Sequence, residues 1–226
     1  MRIDDTARER TFGPEKPLIF VHFPKAAGTS LLRQLEAALG PALMTDYGFP
    51  PLVAGATIAP PLPPHVAAVY GHFRPGRYEH VRHAVRCTFL RHPVDTLISL
   101  YFYWKGLPPH GNPVHDRFTS EAPSIESFAT YAGIRRYMSD TYFGGYDLGR
   151  FDFVGFHEHR AEDIRAFGAL LGLPLDPEVH LHKTESGGAE RERLLANPER
   201  LRRIAALVAE DVAFYEAALR RRRPAG

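Results

Sequence analysis

The stretch from Leu18 to Leu39 limits what this 226-residue chain can fold into more than any other part of it. Leu18-Ile19-Phe20-Val21-His22-Phe23 is a short, nearly continuous apolar run rich in β-formers. Such a run suits a central parallel strand covered on both faces. Pro24 to Gly28 breaks the pattern. From about Thr29, the side chains of Leu31, Leu32, Leu35, Ala38 and Leu39 fall on one helical face. Gly40-Pro41 supplies a stop. The junction is strand, tight loop, helix.

The alternation continues downstream. Strands are expected over Val66 to Tyr70, ending at Gly71-His72, over Val85 to Leu90, bounded by Arg91-His92-Pro93, and over Phe151 to Phe156. A helix begins near Val94, with Leu97, Ile98, Tyr101 and Phe102 on its stripe. Another carries Ile164, Phe167, Leu170 and Leu171 and is capped by Gly172. The last starts at Asn197-Pro198 and runs its stripe from Leu201 through Ile204, Ala205, Val208, Val212 and Tyr215 to Leu219. Tyr47 to Pro64 and Lys105 to Ser124, both holding Pro and Gly, are expected as irregular loops. The expected class is α/β, a P-loop-like parallel sheet flanked by helices, in a single domain over residues 1–226 with a flexible segment at 1–16. No internal repeat is visible.

Composition narrows the function. A net charge of +2 argues against a dedicated nucleic-acid binder. Cys87 is the sole cysteine, so neither an internal disulfide nor a cysteine metal cluster can form, and its apolar surroundings make it a core residue. The charged N-terminus lacks a signal-peptide core, and no run is long enough to cross a bilayer. The expected location is cytoplasmic. Lys occurs only at positions 16, 25, 105 and 183 among 28 basic residues, which makes a lysine inside a motif conspicuous.

Pro24-Lys25-Ala26-Ala27-Gly28-Thr29-Ser30 places small residues, two hydroxyls and one ammonium at a helix start. Unpaired amides and the positive end of the helix dipole attract phosphate or sulfate there. A strand–turn–helix with Gly and Ser chosen only for turning and capping would share much of this pattern; the helical placement and the solitary Lys25 favour the anion. The motif is not Walker A, because Lys25 precedes Gly28 instead of following it. It resembles the phosphosulfate-binding loop of the sulfotransferases, particularly carbohydrate sulfotransferases. The segment Cys87 to Trp104 is similar to that family's 3′-phosphate site, an apolar strand followed by Arg-x-Pro and a Ser eight residues after the Arg. The resemblance implies that Arg91 and Ser99 hold the 3′-phosphate, and that residues 25–30, namely Lys25, Ala26, Ala27, Gly28, Thr29 and Ser30, hold the phosphosulfate. Phe151 to Pro174 resembles the family's later strand–helix segment, and the likeness extends over most of residues 17–220.

The implied reaction moves a sulfuryl group from 3′-phosphoadenosine 5′-phosphosulfate (PAPS) to an alcohol on a carbohydrate or small metabolite. The resemblance assigns leaving-group stabilisation to Lys25. His72 is the expected base, because it lies just beyond a strand's carboxyl end and the family has a comparable Gly-His segment. His22 is expected as a hydrogen-bonded core histidine, and His92 as structural or adjacent to the nucleotide. No metal is expected, since His157-Glu158-His159 is a weak pattern. Arg74 and Arg77 are expected to be solvated, ahead of binding an anionic acceptor, as is the helix end at Arg220 to Arg223; Lys183 is expected to approach the nucleotide from a late loop, His182 to Gly188, whose sequence departs from the family's patterns. Two rivals are a P-loop small-molecule kinase and a non-catalytic nucleotide- or glycan-binding module. His157-Glu158-His159-Arg160 leaves room for the latter, because the family more often has Glu followed by an aromatic residue. Acceptor specificity is expected in the two long loops.

Overall fold

Strand β1 (Leu18–Val21) pairs in parallel with β3 (Ala68–Gly71) on one side and β4 (Val85–Leu90) on the other. β2 (Leu43–Asp46) joins β3 and β5 (Phe153–Phe156) joins β4, both in parallel, giving the order β2-β3-β1-β4-β5. This is a computed structural model, and it describes residues 10–26, 28–48, 50–54, 57–179 and 187–222. All four β1 side chains are at most 1% exposed. Burial of each contributes about 1.5–3 kcal/mol. Phe20 stacks on Tyr70 of β3 with ring centroids 4.6 Å apart and meets Phe89 of β4 at 6.2 Å, so aromatic packing ties the middle strands together.

The helices are α1 (Gly28–Leu39), α2 (Pro51–Ala54), α3 (Pro93–Lys105), α4 (Pro113–Glu121), α5 (Ile125–Ala129), α6 (Arg160–Leu171), α7 (Gly188–Leu195), α8 (Pro198–Leu207) and α9 (Ala209–Arg220). A π-helical turn covers Tyr137–Tyr142. The expected α/β class, a parallel sheet flanked by helices, is the observed one. Gly172 caps α6 at φ 67°, and the Asn197 side chain accepts from the Arg200 amide at the start of α8.

Several expectations need correction. β2 was not anticipated; only Asp46 of its residues is buried, so it lacks the apolar run of an inner strand. The Lys105 to Ser124 segment is not one loop, because α3 runs through Lys105 and α4 occupies nine residues of it, with Asn112 accepting from the Val114 and His115 amides. The single expected C-terminal helix is two. Val208, at φ −111° and ψ 29°, separates α8 from α9. This break lets the first turn of α9 bring the Asp211 carboxylate onto the Met138 amide (2.9 Å) and the Ser139 amide (2.8 Å) and hydroxyl (2.6 Å). Part of the expected flexible segment packs against the body: Phe12 is buried, and Arg10 donates to the Ala38 carbonyl of α1.

Two expected solvated arginines are also otherwise placed. Arg77 is buried and donates through Nε to Asp46 Oδ2 at 2.7 Å, where the Tyr78 hydroxyl also donates at 2.8 Å. Arg222 is clamped on α6 by Asp163 and Glu162, each at 2.7 Å, whereas Arg220 and Arg221 are exposed and Arg223 lies outside the described residues. Cys87 is fully buried, which raises its thiol pKa and leaves it unreactive.

The buried Asp46–Arg77 pair sets a stability test. Asp46→Ala strands a guanidinium in the interior and should cost about 3–5 kcal/mol. Urea denaturation of the two proteins measures this; a loss under about 1 kcal/mol would mean that the pair is effectively solvated.

Candidate active site

Parallel register gathers the residues that follow each strand along one edge of the sheet. Asp46, Gly71 and Val21 are aligned across β2, β3 and β1, so Tyr47, His72 and His22 emerge side by side. Leu90 and Phe156 are aligned across β4 and β5, so Arg91 and His157 emerge together. The carboxyl edge of an open parallel sheet is where ligands collect.

Between β1 and α1, the chain turns through Lys25 with φ 65°, a left-handed conformation costly for a side-chain-bearing residue. Gly28 opens α1, and a Cβ there would lie 1.8 Å from His22 Nε2. Glycine is required because the His22 ring rests against that backbone. The buried Tyr70 hydroxyl donates to the Gly28 carbonyl at 2.9 Å. The first turn of α1 carries no acidic side chain, so its amide ends and dipole keep their attraction for an anion. Of the expected loop residues, Ala26 and Ser30 are buried and Thr29 is exposed, while Ala27 lies outside the described residues.

Arg91 is brought to the same corner. Its Nη1 donates to the Lys25 carbonyl at 3.1 Å, and its Nε is buried without a hydrogen-bond partner. Lys25 Nζ sits 4.2 Å from the centre of the Tyr103 ring on α3. Ser99 is buried one helical turn before Tyr103, and residues four apart share a face, so Ser99 belongs to the α3 surface that Lys25 approaches. Burial, then the charges of Arg91 and Arg191, lowers the Lys25 pKa; burial is also the main influence lowering that of Arg91, with Arg191 adding to it and Asp95 and Glu158 opposing it. Three cations from three parts of the chain therefore converge.

Arg191, Tyr103 and Tyr47 are not singled out by the sequence, and His157 enters there only as part of a weak metal pattern. His157 has a buried Nδ1 without a partner, and its pKa is lowered by burial and then by Arg91. Glu158 is bound at both oxygens, accepting from the His92 amide at 2.7 Å and from the Tyr215 hydroxyl at 2.7 Å. It fixes the entry to α3 beside Arg91, with the His92 ring edge-on to Tyr215. Among the described residues, His157, Glu158 and His159 do not form a metal-ligand group. Lys183 lies outside the described residues.

His72 stacks on His22 with ring centroids 4.4 Å apart and hydrogen-bonds through Nδ1 to the His22 carbonyl at 2.7 Å. A carbonyl only accepts, so Nδ1 carries the proton and Nε2 keeps a lone pair. Burial lowers the His72 pKa to about 4, partly opposed by this hydrogen bond. His22 is lowered well below the usual range by burial, then by His72 and Lys25. The Tyr47 hydroxyl, its pKa raised to about 12 by burial and then Glu36, lies within hydrogen-bond reach of His22 Nδ1 at 3.2 Å. Tyr47 and Tyr142 stand edge-on to the His72 ring at 4.9 and 6.2 Å.

No protein-family model matches the chain, and no curated protein matches it in sequence. Solved structures do match. Mouse sulfotransferase SULT7A1, complexed with PAP, superposes with a TM-score of 0.51 at 12% identity, covering 92% of this chain and 89% of its own. A sulfotransferase from Alicyclobacillus acidocaldarius gives a TM-score of 0.52 at 19% identity, covering 92% and 97%. The chain has the sulfotransferase fold. Within that fold, the β1–α1 loop and the Arg91 corner lie together at the carboxyl edge of the sheet.

Lys25 provides a test that separates strain from binding. Lys25→Gly removes both the left-handed penalty and the ammonium. It should unfold within about 1 kcal/mol of the parent yet weaken binding of pyrophosphate, used as an anionic probe and read by calorimetry. Undiminished affinity would remove Lys25 from the anion site.

Proposed function

We propose that this protein is a sulfotransferase that moves a sulfuryl group from PAPS to a hydroxyl group of a carbohydrate or small metabolite. The observation carrying this reading is the contact of Arg91 with the Lys25 carbonyl at the start of α1, which draws two cations and a helix amino end onto one corner. A donor with phosphate at both ends suits that arrangement. The fold's occurrence in a PAP complex supports the same nucleotide class.

Lys25, Ala26, Ala27, Gly28, Thr29 and Ser30 would hold the phosphosulfate, and Arg91 and Ser99 the 3′-phosphate. Transfer forms a bond from the acceptor oxygen to sulfur and breaks the bond from sulfur to the bridging oxygen. The acceptor proton passes to His72 Nε2, and Lys25 neutralises charge on the departing phosphate. Positioning and electrostatics carry the chemistry, as in phosphoryl transfer. His72 is neutral at pH 7 and therefore able to accept a proton. A bound anionic donor favours the imidazolium and so strengthens the base as the reaction begins. Tyr47 and Tyr142 set aromatic rings edge-on to His72, surroundings suited to a sugar face or another ring.

His72→Ala should keep affinity for adenosine 3′,5′-bisphosphate (PAP) and lose about 10²- to 10⁴-fold in sulfate transfer from labelled PAPS. Lys25→Ala should lose about 10²- to 10³-fold in turnover. Preferential binding of ATP–magnesium over PAP would instead indicate a kinase, and PAP binding without transfer to any acceptor in a broad panel would indicate a binding module.

The His72 environment adds a pH test. Because its folded pKa is depressed, the imidazole should remain neutral as pH falls to about 5, with no proton uptake near the ordinary histidine value of about 6.5. Titration by NMR of its ring signals, without and with PAP, measures this and should show the midpoint rising when PAP binds. An ordinary midpoint in the free protein would contradict the buried geometry.

A further inference from the structure

Away from the sheet edge, the connection between α3 and α4 brings His110, His115 and Asp116 together, with one ligand atom from each within 4.8 Å of the others. His115 is fully buried against Trp104 and Phe118. Its Nε2 lies 3.3 Å from the Trp104 carbonyl, which can only accept, so Nε2 carries the proton and Nδ1 presents a lone pair. That Nδ1 has no hydrogen-bond partner, and it faces Asp116 Oδ1 at 3.8 Å. His110 repeats the arrangement. Its Nδ1 lies 3.2 Å from the Pro108 carbonyl, which assigns the lone pair to Nε2, and its ring centre is 4.4 Å from that of His115.

Two acceptors facing each other across the margin of the core, His115 buried and Asp116 partly exposed, repel unless a cation lies between them. At 3.8 Å the two atoms make no direct N–H···O bond. A charge-assisted N–H···O bond closes to about 2.7–2.9 Å, and the Asp116 carboxylate is held at its longer distance by the amides of His110 (3.0 Å) and Gly111 (3.1 Å). Zinc bonds of about 2.0–2.1 Å place tetrahedral ligand atoms roughly 3.3 Å apart. His115 Nδ1 and Asp116 Oδ1, 3.8 Å apart, are somewhat wider than that separation, and exposed His110 can bring Nε2 to the ion by a small movement that keeps its contact with the Pro108 carbonyl. Donation of each histidine's other ring N–H to a backbone carbonyl is the usual support of a metal-bound imidazole.

We propose that His110, His115 and Asp116 form a zinc site that clamps the α3–α4 connection, with the fourth position open to water. The site is structural. It anchors the end of the helix that carries Ser99 and Tyr103 and takes no part in the proton or sulfuryl transfer. Nitrogen and oxygen ligands suit zinc and exclude the purely oxygen-ligated hard cations as preferred occupants.

The test uses the full chain after dialysis against a chelator. Zinc, titrated against a chromophoric competitor, should bind at one equivalent per chain, and cobalt in its place should give the visible bands of a low-coordinate nitrogen-ligated ion. His110→Ala, at an exposed position that spares the core, and Asp116→Asn should each weaken zinc binding at least about 10-fold. His83→Ala, at another exposed histidine, should leave it unchanged. Nitrogen-detected NMR should show the His115 Nδ1 signal shifting on zinc addition. Absence of a saturable equivalent, affinity unaltered in His110→Ala, or a His115 Nδ1 that is protonated and indifferent to zinc would each overturn the proposal.

Discussion

Everything at the candidate site depends on parallel pairing about β1. Because β3 and β4 are fixed on either side of one fully buried strand, all five strands discharge their next residue at the same edge. Those residues are Tyr47, His22, His72, Arg91 and His157, so five separated positions become neighbours without any long-range recognition of their own. The apolar burial that holds the strands together is non-directional, but the hydrogen-bond register is not. Register is what converts hydrophobic stability into chemical placement.

This constraint also explains what the sequence reveals. β4 and the capped end of α6 were legible because each is marked locally, by an apolar run or a glycine with positive φ. The Lys25 and Arg91 motifs were legible for the same reason, as each sits in a short recognisable string. β2 was hidden because an edge strand with three partly or fully exposed residues has no apolar signature. The break at Val208 was hidden because the contact it permits, from Asp211 to the Met138 and Ser139 amides, spans more than 70 residues.

The unread site residues follow the same division. Tyr47 and His157 acquire meaning only once strands are aligned, and Arg191 only once α7 is folded against the Lys25 corner. Arg77 shows the converse. Its sequence neighbourhood suggests a surface cation, yet a carboxylate 31 positions away draws it inside. Charge in a sequence says little about solvation until its partner is known.

The two-sided binding of Glu158 has a temporal consequence. One carboxylate takes its donors from the His92 amide and from Tyr215 on α9. During vectorial synthesis, the strand-edge residues as far as His157 are all made before Tyr215, so a nascent chain can lay down the sheet while this brace is still half-filled. The brace beside the arginine corner is filled at both oxygens only once α9 has been made.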